Sequence, residues 1–210
     1  MTEFDKKGYV VVRKALAKTT AKFLYNYLIL KREVCKFLMF NNYPHMTFET
    51  YGGFEGEGDM IPDTYSAYAD IAMETLLLAT KPIVEKTLKM RLYPNYSYAR
   101  LYKKGDILKR HKDRFSCEVS TTIFLGGAEW PIFISKSKKE NTRGLKVNLK
   151  QGDMLIYRGI DREHWREKLE DVQSGQVFLH YNNAETEGAE QNKYDTRPYV
   201  GIPESFKKFK

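Results

Sequence analysis

The chain has 210 residues, 42% of them apolar and 14% aromatic, with a formal net charge of +8. That length suits one domain with a sizeable core, and that composition excludes a disordered chain. No apolar run is long enough to span a bilayer. The basic residues form no strip interleaved with exposed aromatics, which disfavours a nucleic-acid partner.

Residues 1–7 carry charge with no apolar stretch behind them, so no export signal is read. A cytoplasmic location is expected, with Cys35 and Cys117 as reduced thiols. Basic clusters at 109–114, 136–139 and 206–210 read as solvated surface that attracts small anions; the last of them suits a frayed tail.

Val10, Val11 and Val12 form a short apolar strand after Gly8. Lys18, Thr19 and Thr20 offer a cap to a long helix. Phe23, Leu24, Tyr27, Leu28, Val34, Cys35 and Leu38 recur through it mostly at helical spacing. Residues 41–63, rich in Gly, Pro and acids, read as a long loop. Its glycines at 52, 53, 56 and 58 suit either a lid over a site or a passive connection. A second helix is expected over 66–90, with Leu76, Leu77, Ile83, Val84 and Leu88 as its stripe and a kink or break at Pro82.

After Pro94 the period becomes two. Tyr96, Tyr98, Arg100 and Tyr102 share one face of a strand. Val119, Thr121, Ile123 and Leu125 alternate along the next. Further strands are expected at 130–134, 145–149, 154–157, 164–167 and 176–181, separated by turns such as Gly105-Asp106 and Gly152-Asp153. Many short strands at regular spacing indicate a sandwich or barrel. No repeat or linker divides the chain. One domain is expected, with 1–93 as mainly helical support, 94–183 as the core and 184–210 as a tail.

Three side chains suit one metal: His111, Asp113 and His164. His111 and Asp113 stand at i and i+2, so on an extended segment they face the same way, about 6.5 Å apart. His164 comes from a distant strand, so the set closes only in a folded sheet. Two imidazoles and a carboxylate with open positions opposite is the ligand set of non-haem iron(II) oxygenases.

The surrounding residues sharpen this. Tyr102 stands nine residues before His111 and Gly105 six before it. Gly152-Asp153-Met154-Leu155-Ile156-Tyr157 leads through a short turn to His164-Trp165-Arg166-Glu167. With Tyr96-Ser97-Tyr98-Ala99-Arg100, Ser116-Cys117-Glu118-Val119-Ser120 and Gln176-Val177-Phe178-Leu179-His180-Tyr181, the region 96–182 closely resembles the prolyl-4-hydroxylase-like branch of the 2-oxoglutarate/Fe(II) oxygenases, in a subgroup found in bacteria and phages. The resemblance implies an α+β, mainly β chain: a double-stranded β-helix, or jelly-roll, with N-terminal helices packed on one sheet. It implies Fe(II) at His111, Asp113 and His164, 2-oxoglutarate as cosubstrate and O2 as oxidant. The reaction would be a hydroxylation that releases succinate and CO2. It also matches Tyr102 to a family tyrosine that donates to 2-oxoglutarate; an apolar lining role suits Tyr102 equally.

The sequence departs from that family at one point. Relatives place Arg or Lys about ten residues after the distal His, where this chain has Ser174, Gly175 and Gln176. A buried carboxylate without a cation is costly, so the distal carboxylate of 2-oxoglutarate is expected to meet Arg166, on the same strand face as His164, or Arg100. Gln176 offers a neutral donor. Arg166 paired at the surface with Glu163 or Glu167 is the structural alternative. His180 suits the cavity or a satisfied core position, and His45 has no ligand partner nearby. Cys117, Glu118, Tyr65, Tyr68, Tyr96 and Tyr98 read as packing residues, with the tyrosines able to line a mouth. The partner is then a small-molecule or peptide substrate. A metal-binding, cupin-like jelly-roll holding Mn, Zn or Ni without oxygenase activity is the alternative, and a fold that has lost its chemistry is a third. Neither the substrate nor the oligomeric state is legible here.

Overall fold

The computed structural model describes residues 2–43, 48–139 and 141–207. His45 and residues 208–210 of the basic run lie outside them. In chain order the elements are α1 (Glu3–Lys7), β1 (Tyr9–Val12), α2 (Lys18–Phe40), α3 (Phe48–Tyr51), β2 (Gly53–Phe54), β3 (Tyr65–Tyr68), α4 (Ile71–Leu88), β4 (Leu92–Lys103), β5 (Leu108–His111), β6 (Val119–Gly127), β7 (Ile132–Ser135), β8 (Gly144–Val147), β9 (Met154–Arg158), β10 (His164–Arg166) and β11 (Gln173–Asn183). They build a seven-stranded sheet, β1-β9-β6-β11-β4-β3-β2, and a four-stranded sheet, β5-β10-β7-β8. Every pairing is antiparallel.

The large sheet is buried on both faces, and the period of two sorts its residues. Ala99, Leu101, Val119, Ile123, Leu125, Val177 and Leu179 point outward and form the main core with Ala21, Leu24 and Leu28 of α2 and Leu77 and Val84 of α4. Each such Leu, Ile or Val side chain taken from water contributes about 1.5–3 kcal/mol. The opposite face turns toward the small sheet, where Phe124, Leu155 and Tyr157 pack on Ile132, Ile134 and Val147. Helix α2 lies close because Gly126 and Gly175 leave room for the Tyr25 ring: a Cβ at either would come within 2.8 Å or 2.5 Å of it.

The helical third differs from expectation at several points. Ser66 belongs to β3, paired with β4, and α4 begins only after Asp70, whose carboxylate accepts from the amides of Ala72 and Met73. The helix runs through Pro82 unbroken; the residue one turn back, Leu78, faces solvent, so the carbonyl freed by the missing amide can reach water. Helix α2 starts from Ala17 without a side-chain cap, so Thr19 and Thr20 are not capping residues. The 41–63 loop contains α3 and β2, and α1, closed by a Thr2–Asp5 capping box, was not expected. No helix among the described residues is long and apolar enough to cross a membrane.

Residues 184–207 form a strap across one end of the large sheet. Arg197 is buried against Glu74 (3.1 Å). Tyr194, Asp195 and Thr196 hold three consecutive left-handed conformations (φ 58°, 55° and 66°), each unfavourable for a residue with a side chain. Asp195 explains how they persist. Its carboxylate takes both Arg114 nitrogens (2.9 and 2.8 Å), the Ser116 hydroxyl (2.9 Å), the Tyr68 hydroxyl (2.7 Å) and Lys207 (2.9 Å). Burial pushes this carboxyl up, but Arg114 and the other donors outweigh it and hold it well below the usual carboxylate value of 3.8.

A folded pKa held this low gives stability that is complete above the unfolded value and declines as pH falls below it. Asp195→Asn is therefore expected to lower stability at pH 7 and to flatten the loss of stability between pH 4 and pH 2, read by urea unfolding across that range. An unchanged slope would show that the strap is held by other contacts.

Candidate metal centre

Strands β5 and β10 are neighbours in the small sheet, and their register sets His164 directly opposite His111. The two ring centroids are 4.2 Å apart. Asp113 follows just past the end of β5, fixed by its amide donating to the Gly159 carbonyl (2.9 Å). Its Oδ1 lies 3.6 Å from His111 Nε2 and 3.4 Å from His164 Nε2. One donor atom from each residue falls within 4.8 Å of the others. The structure thus brings the three sequence-derived ligand candidates to one point.

Their partners prepare those atoms. His111 Nδ1 lies 2.8 Å from the Lys109 carbonyl and His164 Nδ1 3.1 Å from the Arg162 carbonyl. A carbonyl only accepts, so each Nδ1 carries a proton, which leaves Nε2 to face Asp113 in the metal-free protein and to serve as the ligand atom once its own proton is lost. The second Asp113 oxygen accepts from Ser120 (2.7 Å), whose hydroxyl also meets His180 Nδ1 (3.0 Å). Burial raises the Asp113 carboxyl, but His164 and His111 outweigh it and keep it ionised, well below the usual range. Burial lowers His180 to about 4, so it is neutral at physiological pH. Gly159 must be glycine: a Cβ there would meet Asp113 Oδ2 and the Cys117 carbonyl at 2.3 Å.

The three converge on a cavity of about 240 Å³ between the sheets, also lined by Tyr96, Tyr98, Arg100, Tyr102, Phe178 and His180. Tyr102 is fully buried edge-on to Trp130, with centroids 4.8 Å apart. Arg166, on the His164 face of β10, is 1% exposed. Its Nη1 donates to the Trp130 carbonyl and its Nη2 to Thr122 Oγ1 (3.4 Å). Its Nε is buried with no partner, and among the described residues no carboxylate pairs with it. Glu163, its expected surface partner, is taken by Arg110 (3.0 Å). Burial lowers the Arg166 guanidinium to about 10, still charged at neutral pH. From Arg166 a chain of hydrogen bonds runs through Thr122 to Gln176 (3.3 Å) and on to Ser174 (3.2 Å). Arg100, by contrast, is already paired with Asp59.

No family model matches the sequence, and no curated protein matches it. Solved structures do match the fold. A Pseudomonas putida prolyl-4-hydroxylase superposes with a TM-score of 0.62 at 10% identity, covering 86% of this chain and 95% of its own. SnoK, a non-haem alpha-ketoglutarate-dependent carbocyclase of nogalamycin biosynthesis, gives 0.59 at 13% identity over 95% and 90%. HygX from Streptomyces hygroscopicus, solved with nickel and 2-oxoglutarate, gives 0.61 at 13% identity over 87% and 85%. The fold is that of the 2-oxoglutarate- and iron-dependent oxygenases.

On this oxygenase fold, sequence reasoning overlooked Ser120, Thr122 and Tyr157. Ser120 and Thr122 had a signal: they are the polar residues at inward positions of β6, where an interior strand otherwise calls for apolar side chains. Asp59 and Met60, which also line the cavity, had only the acidic character of their loop.

An unpaired buried cation costs stability. Arg166→Met keeps much of the volume and removes the charge, so the ligand-free protein is expected to gain about 1–2 kcal/mol in urea unfolding. A loss of stability would instead make the bonds to Trp130 and Thr122 structural.

Proposed function

We propose that the protein is an Fe(II)- and 2-oxoglutarate-dependent oxygenase that hydroxylates a small-molecule or peptide substrate and releases succinate and CO2. Its two facing sheets are read as the jelly-roll of such enzymes. The observation that carries the reading is the pairing of two features on one strand. His164 closes the histidine–aspartate cluster, and Arg166, two residues on, is a buried cation with no anion of its own among the described residues.

In this reading His111 and His164 ligate through Nε2 and Asp113 through Oδ1, the oxygen nearest both rings. Ser120 holds the other Asp113 oxygen and keeps the carboxylate from turning. Arg166 receives the distal carboxylate of 2-oxoglutarate, with the Tyr102 hydroxyl beside it. Gln176 acts through Thr122, which it steadies, so the neutral position on β11 supports the cation that β10 supplies. Arg100 is the weaker candidate for this role because Asp59 already neutralises it. Bound iron with 2-oxoglutarate and O2 supplies the oxidising chemistry. The chain's own contribution is to orient the cosubstrate along one strand step from His164 to Arg166 and to exclude water with Tyr157, Phe178 and Trp130.

Anaerobic addition of Fe(II) and 2-oxoglutarate is expected to produce a weak visible charge-transfer band, and oxygen should then yield succinate slowly without substrate. Arg166→Met should raise the 2-oxoglutarate Kd by about tenfold or more with metal affinity unchanged, measured by calorimetry under argon. Asp113→Ala should lose the metal. Metal uptake with neither band nor succinate would favour the cupin-like alternative.

A further inference from the structure

A second guanidinium faces the cavity. Arg100 projects from β4 between Tyr98 and Tyr102, is 4% exposed, and lines the same space as His111, Asp113 and His164. Its fork is only partly used. Among the described residues Nη2 alone is engaged, by Asp59, by the Tyr98 hydroxyl (2.7 Å) and more distantly by Glu55 (3.9 Å). Its Nε is buried and without a partner.

Both carboxylates belong to the acidic loop between β2 and β3. That loop is anchored at two points. Glu55 accepts from Ser66 (3.0 Å) and Tyr98 (2.6 Å), and Ile61 is buried beside Tyr102, Leu108 and Phe178. Between the anchors, 56–60 arches over the cavity. A Cβ added at Gly56 or Gly58 would meet nothing within 4 Å, and Met60 is exposed. Arg197 shows how this fold neutralises a structural cation: with Glu74, from the core. Arg100 is neutralised from an arch instead, by a carboxylate that uses one nitrogen of a group suited to two.

We infer that Arg100 is the receptor for a carboxylate on the substrate, and that Asp59 occupies this receptor while the substrate is absent. The inference rests on the oxygenase reading, because the cosubstrate held at Arg166 leaves Arg100 to the second ligand. The substrate class is then an organic acid or a peptide bearing an acidic group. Binding exchanges one carboxylate for another, so no buried charge is stranded. The displaced Asp59 carries the arch outward and widens the approach to His111 and His164.

The test uses the full chain loaded with Zn(II) and 2-oxoglutarate, so that the cosubstrate site is filled and no turnover occurs. Propionate and its uncharged isostere propionamide are titrated by saturation-transfer NMR. An acetylated aspartyl dipeptide is added as a peptide source of the same group. Asp59→Asn is expected to tighten propionate binding about tenfold and leave propionamide unchanged; Arg100→Gln should abolish propionate binding with 2-oxoglutarate affinity intact. Arg100→Lys, which keeps the charge and loses the fork, serves if the Gln variant does not fold, and should bind propionate more weakly than wild type. Tighter binding of the dipeptide than of propionate assigns a peptide, and the reverse a small acid. Equal response to acid and amide, no propionate binding in wild type and Asp59→Asn alike, or loss of 2-oxoglutarate in the Arg100 variants overturns the inference. Failure of wild type to bind 2-oxoglutarate at all would instead strike the oxygenase reading.

Discussion

The cross-strand pairing of His111 with His164 is the constraint on which the site depends. Strand β10 has three residues and β5 four, so few ladder bonds hold them, and a slip of one residue by either strand would turn its imidazole to the wrong face. Neighbouring packing fixes the register. Trp165 stacks on Phe133 of β7, and the Arg110 guanidinium lies 3.4 Å over the Trp165 ring. Trp165 also crowds Gly144 of β8, where a Cβ would meet the indole at 2.2 Å. The outward residues of the small sheet thus set the register that its inward residues use.

The large sheet divides its labour by face. Its outer side is apolar and packs on helices, and supplies most of the burial that stabilises the fold. Its inner side carries Ser120, Thr122, Arg100, Gln176 and His180 into the interior, at a cost that apolar residues would not impose. Most of these groups find partners in one another. Among the described residues the buried side-chain atoms without a partner are Asn95 Oδ1, Thr121 Oγ1, two nitrogens of Arg162, Arg166 Nε and Arg100 Nε, and of these residues Arg100 lines the cavity. An unsatisfied guanidinium nitrogen beside the histidine–aspartate cluster is a group that something other than the chain can complete.

The β-rich half was legible because alternation survives burial on both faces when chemistry also alternates, as it does at Tyr96, Tyr98, Arg100 and Tyr102 against Ala99 and Leu101. The three converging side chains were legible for a different reason, since spacing and residue type together narrow the options. What escaped was decided at long range. Ser66 is a strand residue because β4 lies beside it, not because of its neighbours in sequence. Arg166 is buried because β6 and Trp130 cover it, a fact that its Glu163 and Glu167 flanks conceal. Asp59 meets Arg100 only after the loop has folded back over the sheet. The strap's Asp195 likewise has no local pattern, since all its partners but Lys207 lie far away in sequence.

That strap ties the order of synthesis to the assembly of the centre. Arg114 and Ser116 follow closely on Asp113, and the carboxylate that holds them lies beyond β11 in sequence. A nascent protein can pair β5 with β10 as soon as β10 has emerged, yet the turn that aims Asp113 stays without its brace until Asp195 has been translated. The site is therefore completed after the sheets have formed, and a chain cut before Asp195 would have its strands paired and its binding corner unset.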